Sequence, residues 1–278
     1  MTNSHKTTVF IILLSTLISS AQVKLKGDKI VTTEDRNISE FTTIEVIDNL
    51  NVFLVYNEKQ SVEVEADSNL QNSILTELNN GILTIRTSAI IGRNKALNIH
   101  LKVNKNIQEI NAYNNAKVNS KNTLAINDLT INSYDDAVFN LKLNLKNIEI
   151  HGTEKSRLNL EILSEVVAVR IENSCNLTAI IDAKETSMVG LDNAITTLKG
   201  TSNSLEIEFS GDSSYKGKDF IAANAIVKSN NNAKLYVHVT KELNLLANNS
   251  SEVHLYANPA IALHGFYDKA LIKKRELD

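Results

Sequence analysis

One short pattern, written about eight times between Ile110 and Tyr256, constrains this chain more than anything else in it. The units open at Ile110, Ile131, Ile150, Ile171, Met188, Ile207, Val227 and Leu245, about 17 to 21 residues apart, a spacing in the range of stacked repeats. The first position is a large aliphatic residue. The seventh is small (Ala116, Ala137, Ser156, Ala194, Ser213, Ala233 and Ser251), with Leu177 as the exception. The ninth is usually apolar again: Val118, Phe139, Leu158, Ala179, Tyr215, Leu235 and Val253, with Thr196 departing. Between the first and seventh positions lies a polar corner, as in Tyr113-Asn114-Asn115, Tyr134-Asp135-Asp136 and Leu191-Asp192-Asn193.

Within the units the hydrophobic rhythm is two. Ile148-Glu-Ile150, Val167-Ala-Val169-Arg-Ile171 and Leu205-Glu-Ile207-Glu-Phe209 alternate as half-buried strands do. Each unit therefore reads as strand, corner, strand, return loop. Asn, Asp, Ser and Gly turn a chain tightly because they tolerate left-handed backbone angles or bond locally. A unit of about 19 residues cannot bury its own apolar face, so neighbouring units must bury one another's. The expected fold is all-β, a parallel β-solenoid of single-stranded β-helix type, with right-handed coiling the expected hand. At roughly 4.8 Å per coil, eight coils make a rod on the order of 40 Å long.

The chain before the repeats reads differently. Residues 1–21 have the form of an export signal: Lys6, the apolar run from Val9 to Ile18, and Ser19-Ser20-Ala21 before Gln22. That run is too short to span a membrane as a helix, and no later segment qualifies. Residues 22–38 form a polar lead-in. Residues 39–105 are β-rich but do not repeat, and cap the first coil or supply irregular first coils. Ser68 is the expected cap of a short helical turn, and Asn80-Gly81 signals a tight hairpin turn. The repeats occupy 106–258. The single proline, Pro259, suits the end of the stack, leaving 259–278 as a C-terminal cap and basic tail with Lys273-Lys274-Arg275.

Composition narrows function by exclusion. A net charge of −3, with both signs mixed along the chain, gives no footprint for nucleic acid. One cysteine permits no internal disulfide. Aromatics are 5% of residues with no Trp, as a thin aliphatic interior requires, while 36 asparagines collect largely at corners. Cys175 has no histidine in its corner register and reads as a polar-corner residue. His100, His151, His238, His254 and His264 read as surface strand residues. His238 and His254 fall in different registers, and no pair has zinc-site spacing. No cofactor or metal is expected.

The candidate site is a polar edge made of Tyr113, Asn115, Tyr134, Asp135, Asp136, Asp192, Asn193 and Asp212. With Glu154, these acids recur near one register. Such a row serves as ordinary turn chemistry, holds Ca²⁺, or grips sugar hydroxyls beside the tyrosines. The Gly-Gly-x-Gly-x-Asp calcium repeat is absent.

The ordered series Phe41-Thr-Thr-Ile44-Glu-Val46, Val52-Phe-Leu-Val-Tyr56, Val62 to Leu70, Asn80-Gly81-Ile-Leu-Thr-Ile85 and Leu97 to Val103, followed by the short coils, resembles the head GIN domain family of auto-transporter adhesins from Bacteroidetes-type bacteria. The resemblance covers about 39 to 258. It implies a β-solenoid placed in the cell envelope or outside the cell, and it supplies no catalytic residues. Many members carry Gly-Ser-rich corners, where this chain has Asn and Asp and only nine glycines. The expected function is an exported, non-enzymatic adhesion or ligand-binding module contacting polysaccharide or a cell-surface protein through its corners. The alternatives are a polysaccharide hydrolase or lyase on the same fold, with Asp135, Asp136 and Asp192 as its acids, and a purely structural envelope protein.

Overall fold

The structure, a computed structural model, describes residues 24–277; the segment read as an export signal lies outside them. It is a parallel β-solenoid of about nine turns. First positions pair coil upon coil: Ile44 with Ile110, then Ile131, Ile150, Val169, Met188, Ile207, Val227, Leu245 and Leu263.

That column corrects the expected register of one unit. Val169, not Ile171, opens the coil, so the repeat keeps an even 19-residue step from Ile131 to Ile207. The irregular Leu177 thereby disappears: the seventh position is Cys175 and the ninth is Leu177, both fully buried. Val167, Val169 and Ile171 alternate alike, so a slip of two residues leaves the hydrophobic pattern intact. Volume breaks the tie. The third-position column runs Ala112, Ser133, Gly152, Ile171, Gly190, Phe209, Ser229 and Ala247, with bulky residues set against glycines. A Cβ on Gly152 would lie 2.5 Å from Cys175 Sγ and 3.2 Å from an Ile171 methyl carbon. Cys175 is thus a small core residue and not a corner residue. Burial pushes its thiol up to about 11, although the Ser156 hydroxyl donates to Sγ at 3.3 Å.

The return loops expected in every unit are absent from the middle of the rod. Strands there run unbroken for 14 to 16 residues, as in Arg157–Ile171, Asn176–Gly190, Ile195–Phe209, Ser214–Ser229 and Lys234–Ala247. Each makes its second bend inside the strand. Ser164 and Ser202 sit at two such bends, donating to the carbonyls of Val166 and Ser204, so a hydroxyl replaces a loop.

The N-terminal end is closed. Strands Thr43–Val46 and Asn51–Tyr56 stack in register beneath the coil of Ile110, and Ile82–Thr87 and Leu97–Val103 stack beneath them. Beyond these the direction reverses. Ile74–Asn79 pairs antiparallel with Ile82–Thr87 through the turn at Asn80-Gly81, both of whose φ angles are positive. Ser61–Asp67 pairs antiparallel with Leu97–Val103, and Val31–Arg36, from the polar lead-in, with Ser61–Asp67. Between them, Ser68–Ser73 forms a 3₁₀ turn whose N-cap is Asp67; Ser68 instead donates to Asp28. Asp67 is fully buried and accepts from the backbone N–H groups of Lys29, Lys95 and Ala96, each at 2.9 Å. Gly27 passes so close to this carboxylate that a Cβ would overlap it.

The stack also runs past Pro259. Ala260–Phe266 and Leu271–Lys274 add a coil, pairing with Lys234–Ala247 and Glu252–Tyr256. The basic run is therefore partly ordered: Lys273 Nζ lies 2.9 Å from Glu252, and Arg275 Nε donates to His254 Nδ1 at 2.9 Å. His238 and His254 are buried, contrary to the surface reading, and do stand in different columns. His254 stacks on Tyr236 with centroids 4.4 Å apart, and His238 lies against Tyr256.

Candidate functional site

Every coil turns sharply at the same place. In most coils the fourth residue's carbonyl accepts from the seventh residue's N–H, as from Ala116 to Tyr113 (3.1 Å), Ala137 to Tyr134 (3.0 Å) and Ala194 to Leu191 (3.1 Å). The fifth residue sits between them in the left-handed region. Those residues are Asp48, Asn114, Asp135, Glu154, Asn173, Asp192, Gly211, Asn231, Asn249 and Asp268, with φ between 53° and 82°. Asn and Asp bear this conformation better than other side chains, and Gly bears it freely. The corner composition therefore follows from backbone geometry before any ligand is invoked.

Hydrogen bonding continues through the corner. The sixth residue's N–H donates to the carbonyl of the fifth residue one coil earlier: Asp136 to Asn114 (2.9 Å), Lys155 to Asp135 (3.0 Å), Asn193 to Asn173 (2.8 Å). Side chains add further rungs. Asn114 N–H donates to Asp135 Oδ2 at 2.8 Å, and the amide of Asn114 reaches Asp48 at 3.3 Å. Farther along, Asn173 donates to Thr153 (2.8 Å), Asn231 to Ser210 (2.9 Å) and Asn232 to Asp212 (2.8 Å). The result is one straight polar edge along the rod.

The eight residues singled out from sequence all fall at fourth, fifth or sixth positions of this edge, in two groups. Tyr113, Asn115, Tyr134, Asp135 and Asp136 lie on adjacent coils near the N-terminal end. Asp192, Asn193 and Asp212 lie on two adjacent coils farther along. Two coils separate the groups and place Glu154-Lys155 and Asn173-Ser174 between them, so the acids form no single cluster. Asp136 and Asp192 lie three coils apart, on the order of 14 Å. Asp135 is committed to the Asn114 backbone, and a hydrogen bond from Glu154 to Asp135, with burial and the Asp135 charge, raises the Glu154 carboxyl above its ordinary range. Asp136 and Asp192 make no side-chain hydrogen bond among the described residues. No group of three or more His, Cys, Asp and Glu side chains among the described residues is arranged to hold a metal ion.

Two hollows flank the first group. One, of about 480 Å³, lies where the edge meets the N-terminal cap and is lined by Asp48, Asn115, Asp135 and Asp136 on one side and Ala89, Ile90 and Leu97 on the other. The second, of about 330 Å³, borders Tyr134. Tyr113 and Tyr134 stack with centroids 4.9 Å apart and rings 6° from parallel. Burial first, then the charge of Glu45 and the neighbouring Tyr134, raises the Tyr113 hydroxyl above its ordinary value. The next coil carries Thr153 in that column, so the aromatic pair ends against a hollow lined by Asn132, His151, Thr153, Arg170 and Glu172. Asn132 and Arg170 escape the sequence reading, and His151 reads there only as a surface strand residue, because all three occupy second positions, on strands and not at corners. Aligning units by register brings them into one column beside Tyr134.

Comparison with known proteins agrees with this architecture. The family described as "Putative auto-transporter adhesin, head GIN domain" matches residues 40–161 and again 143–259. Among solved structures, a "putative adhesin" from Parabacteroides merdae superposes with a TM-score of 0.69 at 15% identity. A "putative adhesin" from Parabacteroides distasonis gives 0.67 at 16%, and a "putative lipid binding protein" from the same species 0.65 at 16%. Each comparison covers 92% of this chain and 100% of the other. A comparison with curated proteins finds no match. Neither the family description nor these titles names a catalytic activity. No helix among the described residues is long and apolar enough to cross a membrane. With matches that together run from residue 40 to 259, the chain belongs to the auto-transporter adhesin head GIN domain family.

Proposed function

We propose that this protein is an exported, non-enzymatic adhesion module whose polar edge binds an extended ligand, polysaccharide or surface protein, at the end nearest the N-terminal cap. The observation that carries this reading is the Tyr113–Tyr134 stack ending against a hollow lined by Asn132, His151, Arg170 and Glu172. A flat aromatic face beside hydrogen-bonding side chains suits a sugar ring, whose faces are apolar and whose rim is hydroxylated. Asp136, three columns of polar corner and the hollow where the edge meets the N-terminal cap extend the same surface along the rod. Repetition of the edge at coil spacing favours a long ligand touched at several points over a small one held in a closed pocket. Membership of an adhesin family and the signal-like residues 1–21 support placement outside the cytoplasm.

The test is binding of the purified protein to an array of glycans and matrix proteins, with and without Ca²⁺. We expect a specific hit that Tyr134→Ala weakens at least about tenfold, a loss of about 1.4 kcal/mol, and that Asp136→Asn weakens less. No hit on the array, or hits indifferent to Tyr134→Ala, would overturn the proposal. Turnover of a bound glycan, abolished in Asp136→Asn, would favour an enzyme instead.

A further inference from the structure

Strand Leu271–Lys274 lies on Glu252–Tyr256 and pairs on that edge alone among the described residues. Packing holds it only weakly: Leu271 is 45% exposed, and none of its four residues is fully covered. Side chains fasten it instead. Lys273 Nζ donates to Glu252 Oε2 at 2.9 Å, and Arg275 Nε donates to His254 Nδ1 at 2.9 Å. His254 is buried against the ring of Tyr236 from the coil before, and its Nε2 lies 3.2 Å from Glu252 Oε2. These partners fix where the ring carries its hydrogen. A guanidinium only donates and a carboxylate only accepts, so Nδ1 is bare and Nε2 is protonated. No other described histidine is placed this way. His100 and His151 face the carboxylates of Glu65 and Glu149, His238 donates from Nδ1 to the Lys218 carbonyl, and His264 Nε2 meets Asn244 Oδ1. A second proton leaves each of those contacts in place, whereas at His254 it takes the lone pair that Arg275 uses.

We propose that His254 is a pH-sensitive latch: a proton at Nδ1 expels Arg275 and frees Leu271–Lys274 from the rod. Protonation replaces a hydrogen bond by two cations face to face with no acceptor between them. The surroundings cannot absorb the added charge. Glu252 on the same strand is the one carboxylate facing the ring, and it is already shared with Lys273 from the strand after and Lys234 from the coil before, the latter at 3.9 Å. Burial first, with the charges of Arg275 and Lys234, outweighs Glu252 and holds the imidazole below its ordinary value. A histidine whose folded value is lowered stabilises the fold above its unfolded value, about 6.5, and loses that contribution as pH falls through the folded value. The Lys273 bond to Glu252 outlasts this step, because that bond first and the neighbouring charges hold the Glu252 carboxyl below its ordinary range. Opening between neutral and mildly acid pH therefore belongs to His254, and it uncovers the backbone edge of Glu252–Tyr256. The inference is independent of what the corner edge binds.

The test is hydrogen exchange of the purified protein followed by mass spectrometry, from about pH 7.5 to about pH 5, with the intrinsic pH dependence of exchange divided out. We expect protection of residues 271–275 to fall at least about tenfold across that range while protection of Lys234–Ala247 holds. His254→Gln should remove the step, since its carbonyl can accept from Arg275 and its amide can donate to Glu252 without titrating. Arg275→Ala, at an exposed position, keeps the ring and its packing. It should leave 271–275 weakly protected at both ends of the range, with little further loss in acid. Wild-type protection that does not change with pH, a step that survives in His254→Gln or at full size in Arg275→Ala, or equal loss in every coil would each overturn the proposal.

Discussion

Residue by residue, the interior is set by volume more than by hydrophobicity. A Cβ on Gly190 would fall between 2.2 and 2.8 Å from three ring atoms of Phe209. That ring is fully buried and packs edge-on against Tyr215, with centroids 5.5 Å apart, so it has nowhere to go. Gly190→Ala should cost about 1–3 kcal/mol in urea unfolding, although alanine suits a strand better than glycine. Tyr215 is the converse case. It is wholly buried with no hydrogen-bond partner for its hydroxyl among the described residues, and burial drives that hydroxyl far above its ordinary value. Tyr215→Phe removes an unsatisfied polar group and should leave stability unchanged within about 1 kcal/mol, or raise it. A larger loss in thermal unfolding would mean that the hydroxyl has a partner in solution.

Among the elements, the N-terminal cap has one buried charge at its centre. Burial alone would raise the Asp67 carboxyl, but the N–H groups of Ala96, Lys95 and Lys29 outweigh it and hold the carboxyl below its ordinary range. A carboxylate whose folded value is lowered stabilises the fold above its unfolded value, about 3.9, and loses that contribution as pH falls through the folded value. Asp67→Asn turns an amide towards one of the three donors. It should cost about 1–3 kcal/mol at pH 7, and the difference from wild type should shrink below pH 4. Melts across that range decide it; a deficit that stays constant with pH would refute this account of Asp67.

For the whole molecule, each coil touches only its two neighbours, so stability is a chain of nearest-neighbour terms closed at one end. Ile207→Asp would bury an unpaired charge in the fully buried first-position column and should cost at least about 4 kcal/mol. Hydrogen exchange should show protection lost first in the coils beside Ile207 and kept in the strands of the N-terminal cap. Uniform loss along the rod would show that the cap and coils unfold as one unit.

Much of this architecture was legible because its causes are local. Period-two alternation marks the strands. Asn, Asp and Gly recur at the fifth position because only they turn left-handed cheaply, and the short unit forces stacking. The corner edge, with Tyr113, Tyr134, Asp135 and Asp136 on it, follows from that same register. What the sequence left open depends on side chains that meet only after the coils stack. Val169 outcompetes Ile171 as a first position because Gly152 and Cys175 fit together across a narrow core. His254 is buried because Arg275, a full coil later, folds back on it. Pro259 interrupts nothing because it falls between strands. The hollow beside Tyr134 collects His151 and Arg170 from two further coils, and no spacing along the chain announces it. Nearest-neighbour chemistry writes the repeat; the fit of volumes between coils decides its register, its ends and the surface it presents.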